Sequence, residues 1–259
     1  MAIARNGKVK EKRAAAYDLA AMAASSEDNK FRIVAEGGLD VLTTMALSRD
    51  EVIQEHAVEA LAELLTIPSI QDTFVESGGV RTLSAVLHSP VPRVMQEAAY
   101  ALYTIVADSE ENKHAVVEDH GLDDLVHAAH EGTILCQRTV ASIFLELIFN
   151  AEIRAQIASR NTPKCFNIEI VQPRLLVQLC KTNDPDTLRF SLQSLEVLAI
   201  ESADLICAQG LQLYSSPDDL FSGLPTLSTL EKLSKMESKQ GKLSGSQSSL
   251  GSNTRKDAI

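Results

Sequence analysis

Glu36-Gly37-Gly38-Leu39, Ser77-Gly78-Gly79-Val80 and His120-Gly121-Leu122 are three versions of one junction. The glycine that precedes the apolar residue falls at positions 38, 79 and 121, so the junction recurs at a nearly constant period. Upstream, Ser26-Glu27-Asp28-Asn29-Lys30 recurs as Ser109-Glu110-Glu111-Asn112-Lys113, two periods on. Downstream, Ala57-Val58-Glu59-Ala60-Leu61 recurs as Ala98-Ala99-Tyr100-Ala101-Leu102, one period on. A repeat of about 40 residues fits helical solenoids or propeller blades. The spacing inside each unit decides between them. Ile53, Ala57, Ala60, Leu61, Leu64 and Leu65 recur at three- and four-residue steps, a helical period. Strand-like alternation of useful length is missing from positions 1–160.

Glycine and proline agree with that reading. Between Lys8 and His120 the only glycines are the four at the first two junctions. Pro68, Pro90, Pro92, Pro163 and Pro185 all fall between predicted helices, where a residue that cannot continue a helix belongs. Each unit reads as a short helix, a Gly-Gly turn, a second helix and a longer third helix. In one unit these are roughly 110–119, 122–130 and 133–150. Alanines of the third helix, such as Ala57, Ala60, Ala98 and Ala101, let neighbouring helices approach closely. One unit cannot bury its own apolar face, so units must stack.

A GG-hydrophobic turn, a leucine-rich second helix and an A-x-x-A-L third helix resemble the armadillo repeat. The resemblance covers roughly residues 9–210. It implies an all-α, right-handed α-solenoid of four to five three-helix repeats, with a concave groove lined by the third helices and holding an extended peptide or a partner surface. Divided at the long helices, the units are about 9–50, 51–90, 91–132, 133–184 and a partial 185–210.

The sequence also departs from that resemblance. Armadillo proteins that carry nuclear import cargo bear a Trp on the third helix and an Asn four residues on, gripping an extended basic peptide. Here the Trp-equivalent positions are Tyr17, Glu59, Tyr100, Ser142 and Gln193, and the Asn-equivalent positions are Ala21, Glu63, Thr104, Glu146 and Val197. The Trp-Asn ladder is absent, which argues against an import receptor. The candidate partner-binding residues are therefore Tyr17, Glu59, Glu63, Tyr100, Thr104, Ser142, Glu146 and Gln193. Glu59, Glu63 and Glu146 suit a Lys/Arg-containing segment, with Tyr100 as the aromatic anchor. The competing reading is an ordinary solvated helix face.

Two further departures lie in the second half. The leucine of the A-x-x-A-L pattern at Leu102 aligns with Phe144 and then with Leu195, a step longer than the period. Removing residues 165–174 restores the period, so that stretch reads as an inserted surface loop, neutral or partner-specific. The fifth unit runs through 202–208 to Gly210-Leu211, after which the period is lost. Residues 211–237 form an irregular segment in which Ser228-Thr229-Leu230-Glu231 opens a short capping helix. Residues 238–259 are rich in Ser, Gly and Lys and are expected to be disordered. The lost period suggests a fragment or splice variant of a longer repeat protein.

Composition narrows the function. Apolar residues make up 45% of the chain and aromatics 4%, so the core is aliphatic, as helix packing favours. The net charge of −11 disfavours nucleic acid and anionic membrane and favours basic partners. Cys136, Cys165, Cys180 and Cys207 form no CxxC pair, so neither a zinc site nor a disulfide framework is expected. No apolar run is long enough for a membrane span. Arg5, Lys8, Lys10, Lys12 and Arg13 precede an alanine-rich stretch, which gives organelle import a minor alternative to a basic first helix. Asp123, Asp124, His127, His130 and Glu131 read as the polar side of a second helix before they read as metal ligands. Phosphate-binding loops, nucleophile elbows and zinc-protease signatures are absent.

The reading is a non-catalytic, monomeric interaction scaffold or adaptor of cytoplasm or nucleus. It binds a protein partner and needs no cofactor. The alternative is a regulatory or accessory subunit of an enzyme complex, for example in ubiquitin ligation or trafficking.

Overall fold

The computed structural model of the protein describes residues 1–118, 121–154, 176 and 179–209. Every regular element among them is an α-helix. The inserted loop expected at 165–174, the segment 211–237 and the tail 238–259 lie outside the described residues. The helices are α1 Ala2–Asn6, α2 Val9–Ser25, α3 Glu27–Ala35, α4 Gly38–Ala46, α5 Glu51–Leu64, α6 Pro68–Glu76, α7 Gly79–Val86, α8 Pro92–Asp108, α9 Glu110–Glu118, α10 Gly121–Glu131, α11 Ile134–Phe149 and α12 Pro185–Gln209.

Three triplets repeat: α3-α4-α5, α6-α7-α8 and α9-α10-α11. The long helices pack in series, α2 on α5, α5 on α8, α8 on α11 and α11 on α12. The second helices α4, α7 and α10 form a parallel row of contacts, α4 on α7 and α7 on α10. Alanine makes the long-helix series possible. Ala16, Ala20, Ala57, Ala60, Ala98, Ala101 and Ala141 are all buried at these seams. Leu61, Leu64, Leu83, Leu102, Ile105 and Leu122 fill the space between rows and are wholly buried. Each such side chain contributes roughly 1.5–3 kcal/mol of burial.

The glycine pairs end one helix and start the next. Gly37 and Gly78 adopt φ of 71° and 78°, left-handed backbone that suits glycine. Gly79 serves a different purpose, since a Cβ there would overlap the ring of the wholly buried Phe74. Pro68 and Pro92 sit in the first turns of α6 and α8, where no helical N–H bond is lost.

A polar clasp sets the register between consecutive long helices. Arg13, Gln54, Gln96 and Arg138 stand one repeat period apart. Each reaches the start of the next long helix. Arg13 holds Asp50, the residue that caps α5, through Nη2 to Oδ2 at 2.8 Å and Nε to Oδ1 at 3.0 Å. Gln54 Oε1 accepts from Ser89 Oγ at 2.8 Å, just ahead of α8. Gln96 Oε1 accepts from Thr133 Oγ1 at 3.1 Å, and Thr133 caps α11. Arg138 grips Asp184 with Nε and Nη2, and Asp184 caps α12 by accepting from Thr187 N at 2.9 Å. The outer clasps are Arg–Asp and the inner ones are Gln–hydroxyl. The fourth clasp forms although the sequence step it crosses is longer than the period.

The last long helix differs from its counterparts. Ser26 and Ser109 each separate a long helix from the short helix that follows. At Ser202 no such break occurs, and α12 runs on from Pro185 to Gln209. No glycine or proline lies between those ends to stop it.

The packing predicts opposite reasons for intolerance at neighbouring glycines. Gly78→Ala is expected to cost about 1 kcal/mol, the left-handed backbone penalty, because nothing crowds its Cβ position. Gly79→Ala is expected to cost about 2–3 kcal/mol from overpacking against Phe74. Urea melts of both variants check this, and a Gly78 loss larger than the Gly79 loss contradicts the packing.

The fourth clasp predicts an acid transition. The Arg138 guanidinium, with help from Thr187, holds the Asp184 carboxyl well down, at about 2. A depressed carboxyl stabilises the fold above its unfolded value near 4, and that contribution is lost as pH falls from about 4 to 2. With Arg138 partly exposed, roughly 1–2 kcal/mol is at stake. Asp184→Asn should lower stability at pH 7 and flatten this part of the pH–stability curve.

Candidate functional site

The surface edges of the long helices carry the sequence's candidate residues. Tyr17 lies on α2, Glu59 and Glu63 on α5, Tyr100 and Thr104 on α8, Ser142 and Glu146 on α11, and Gln193 on α12. Among them, Tyr17 and Glu59 belong to one connected surface. Tyr17 meets the His56 ring edge-on, with centroids 5.3 Å apart. His56 Nδ1 is 3.1 Å from Glu59 Oε2. Arg93, at the start of α8, donates from Nη2 to Glu59 Oε1 at 3.0 Å and from Nη1 to Glu55 Oε1 at 2.8 Å. The network Tyr17–His56–Glu59–Arg93–Glu55 thus crosses three long helices.

Glu97 on α8 completes the acidic patch. Burial, the largest cause, pushes its carboxyl upward. Arg93 pulls it down, and Glu59, Glu63 and Glu55 push it up again. Tyr100 follows one turn later with 44% of its surface exposed. Four carboxylates, Glu55, Glu59, Glu63 and Glu97, therefore face two cations, Arg93 and Lys30. The balance is negative, and an exposed phenol ring borders it.

The Asn-equivalent positions do something else. Lys30, almost fully buried on α3, donates to Glu63 Oε2 at 3.2 Å and to Thr66 Oγ1 at 2.8 Å. Lys113, equally buried on α9, lies 2.6 Å from Glu110 Oε1 and 3.6 Å from Glu146 Oε2. In the triplet between them the same place on α6 holds Gln71, which donates to the backbone carbonyls of Leu65 at 2.8 Å and Thr104 at 3.2 Å. Residues 30, 71 and 113 thus tie each short helix to the long helix of its own triplet, at 63, 104 and 146. The repeated Ser-Glu-[Asp/Glu]-Asn-Lys motif is explained by this: Ser26 and Ser109 accept from Asn29 N and Asn112 N at 3.3 Å, and the lysine reaches the long helix.

The remaining candidates separate from the patch. Thr104 Oγ1 donates to Ala101 O at 2.8 Å, and Ser142 Oγ to Arg138 O at 3.1 Å. Both hydroxyls are turned back onto their own helices. Gln193 is exposed on α12, one turn from Arg189 and its ion pair with Asp186. Sequence reading missed Glu55, His56, Arg93 and Glu97. Glu55 and Glu97 stand one repeat period apart, a recurrence that was open to inspection.

Two residues of the Asp123–Glu131 cluster contact His88 of the preceding triplet. Asp124 Oδ1 sits 2.7 Å from His88 Nε2, and the His127 ring stacks on His88 with centroids 4.2 Å apart. Among the described residues, no group of three His, Cys, Asp or Glu side chains is placed to hold a metal ion. Nor is any helix among them long and apolar enough to cross a membrane.

No protein-family model matches the chain, and no curated protein matches it in sequence. Solved structures do. A computationally designed armadillo repeat protein for modular peptide recognition superposes with a TM-score of 0.65 at 16% identity, over 86% of this chain and 94% of that one. A designed armadillo repeat protein in complex with the peptide (KR)4 gives 0.65 at 16% identity, over 89% and 96%. An engineered protein gives 0.63 at 22% identity, over 87% and 92%. The described helices, with their triplet order and serial long-helix packing, make this an armadillo-like α-solenoid fold.

Proposed function

We propose that the protein is a non-catalytic scaffold that binds an extended, Lys/Arg-containing segment of a partner protein along its long-helix face. The observation that carries this reading is the acidic patch at α5 and α8. Glu55, Glu59, Glu63 and Glu97 outnumber Arg93 and Lys30, and Tyr100 stands exposed beside them. A half-buried carboxylate among like charges gains from an added cation, because the approach of a Lys or Arg relieves both the repulsion and the burial penalty. An exposed aromatic ring supplies the apolar stem of such a residue with a surface and its charge with a cation–π partner. The designed neighbour that carries (KR)4 shares the fold and lends support by analogy.

Other perturbed groups support a binding role over a chemical one. The low Asp50, Glu110 and Asp184 carboxyls each answer to a cation in a structural pair. The Cys136 and Cys180 thiols are pushed up by burial to about 12 and about 11, which keeps them protonated and inert near neutrality. The cytoplasmic or nuclear setting and the monomeric state expected from the sequence belong to the same proposal.

Fluorescence anisotropy with labelled (KR)4 peptide tests it. Saturable binding at 0.05 M salt should weaken strongly by 0.5 M, where the Debye length shrinks to a few ångströms. Tyr100→Ala should weaken binding about 10- to 30-fold, as loss of an aromatic anchor does. Glu97→Gln should weaken it less, while a control change on the short helix α6, Ser69→Ala, should not. Salt-independent binding, or equal binding by the wild type and Tyr100→Ala, rejects the proposed surface.

A further inference from the structure

We infer that the open cleft bordered by α1, α2, α4 and α5 is a binding site for a small amphipathic carboxylate. The fold withdraws several cations from solvent and gives them partners. Lys30 pairs with Glu63, Lys113 with Glu110 and Glu146, and Arg138 with Asp184. Arg154 donates to the carbonyls of Ile148 and Phe149. Lys12 is also partly buried, yet among the described residues its ammonium has no hydrogen bond and no ion pair. Withdrawing a cation from water without a partner is unfavourable, and this protein avoids it at the other four positions.

Lys12 lines a cavity of about 520 Å³, and Arg5 lines it with Lys12. That volume falls within the range of pockets that take small organic ligands. Arg5, exposed at the rim, donates from Nη2 to Gly37 O at 3.3 Å. The apolar wall is Ala4, Val41, Met45 and Ile53, every one of them buried. One carboxylate, Asp40, also borders the space but forms no ion pair with either cation among the described residues. Two cations beside an apolar wall select a ligand with an anionic head and a short hydrocarbon body. The single Asp40 charge disfavours a dianionic head, so a carboxylate fits better than a phosphate monoester. Such a carboxylate belongs to a free small acid or to the end of a polypeptide whose last side chain is apolar.

Two probes separate these sources. Hexanoate is titrated into the full-length protein, with the methyl resonances of Met45 and Ile53 followed by NMR. In parallel, a pentapeptide ending in leucine is titrated with a free and with an amidated C-terminus. The expected result is saturable shifts at Met45 and Ile53 with hexanoate, at least 10-fold tighter than with hexanol. Lys12→Met, which keeps the stem and removes the charge, should weaken binding at least 10-fold without lowering the melting temperature, and Lys12→Arg should retain it. Tighter binding of the free-acid peptide than of hexanoate, lost on amidation, supports the site and assigns it to a chain end. Hexanol binding as tightly as hexanoate, no saturation with either acid, or unchanged affinity in Lys12→Met overturns the inference.

Discussion

The close approach of one long helix to the next is the contact on which the rest of the molecule rests. A helix whose seam is lined with alanine has little apolar surface to bury by itself. It gains stability only when a neighbour comes near enough for backbone and Cβ atoms to touch. Ala16 and Ala20 on α2, Ala57 and Ala60 on α5, Ala98 and Ala101 on α8 and Ala141 on α11 are all buried. Larger residues at these sites would push the helices apart and open the space that Leu61, Leu102 and Ile105 fill. The second-helix row and the short helices then cover what the long-helix series leaves exposed.

Alanine contacts are non-directional, so they do not fix how far one helix slides along the next. The polar clasps do. Arg13, Gln96 and Arg138 each bind the residue that caps the following long helix, where unsatisfied N–H groups need a capping residue in any case, and Gln54 binds Ser89 just ahead of α8. Register and capping are solved by the same few atoms. The Arg–Asp versions stand at the two outer seams and the neutral versions between them. A neutral pair avoids the desolvation cost of burying ions. The short-helix ties at Lys30, Gln71 and Lys113 repeat that choice, with charge in the outer triplets and an amide in the middle one.

Much of the fold was legible because its signals are local. The glycine pairs at Gly37-Gly38 and Gly78-Gly79 announce helix ends within a few residues, and the alanine pattern announces seams within one helix. The recurrence of the Ser-Glu-[Asp/Glu]-Asn-Lys motif was visible too, but not its purpose, since Lys30 finds its partner Glu63 on a helix far along the chain. The clasps were hidden for a different reason. Their role repeats while their chemistry alternates between Arg and Gln, so no repeated letter marks them. The full length of α12 was hidden because Ser202 offers a start signal without a preceding stop. At the candidate site, the positions of Tyr17, Glu59, Glu63 and Tyr100 followed from the repeat register, but the pairing state of each carboxylate did not.

That pairing state changes how the long-helix face is understood. Counting acidic residues along the sequence treats Glu59, Glu63 and Glu146 as equal contributors to an acidic lining. In the fold they are not equal. Glu63 and Glu146 hold lysines that come from the protein's own short helices, so an incoming cation would have to displace a buried ammonium or share its carboxylate. Glu59 shares Arg93 with Glu55, and Arg93 is exposed enough to swing aside. Glu97 is raised by burial and by its acidic neighbours, with Arg93 offsetting them in part. Under the proposed function, the attraction for a basic segment is therefore concentrated at the α5–α8 seam, beside Tyr100, and fades toward α11. The unequal distribution favours one anchored cation with looser contacts on either side over an even ladder of equivalent subsites. It follows from which glutamates the fold has already used to hold itself together.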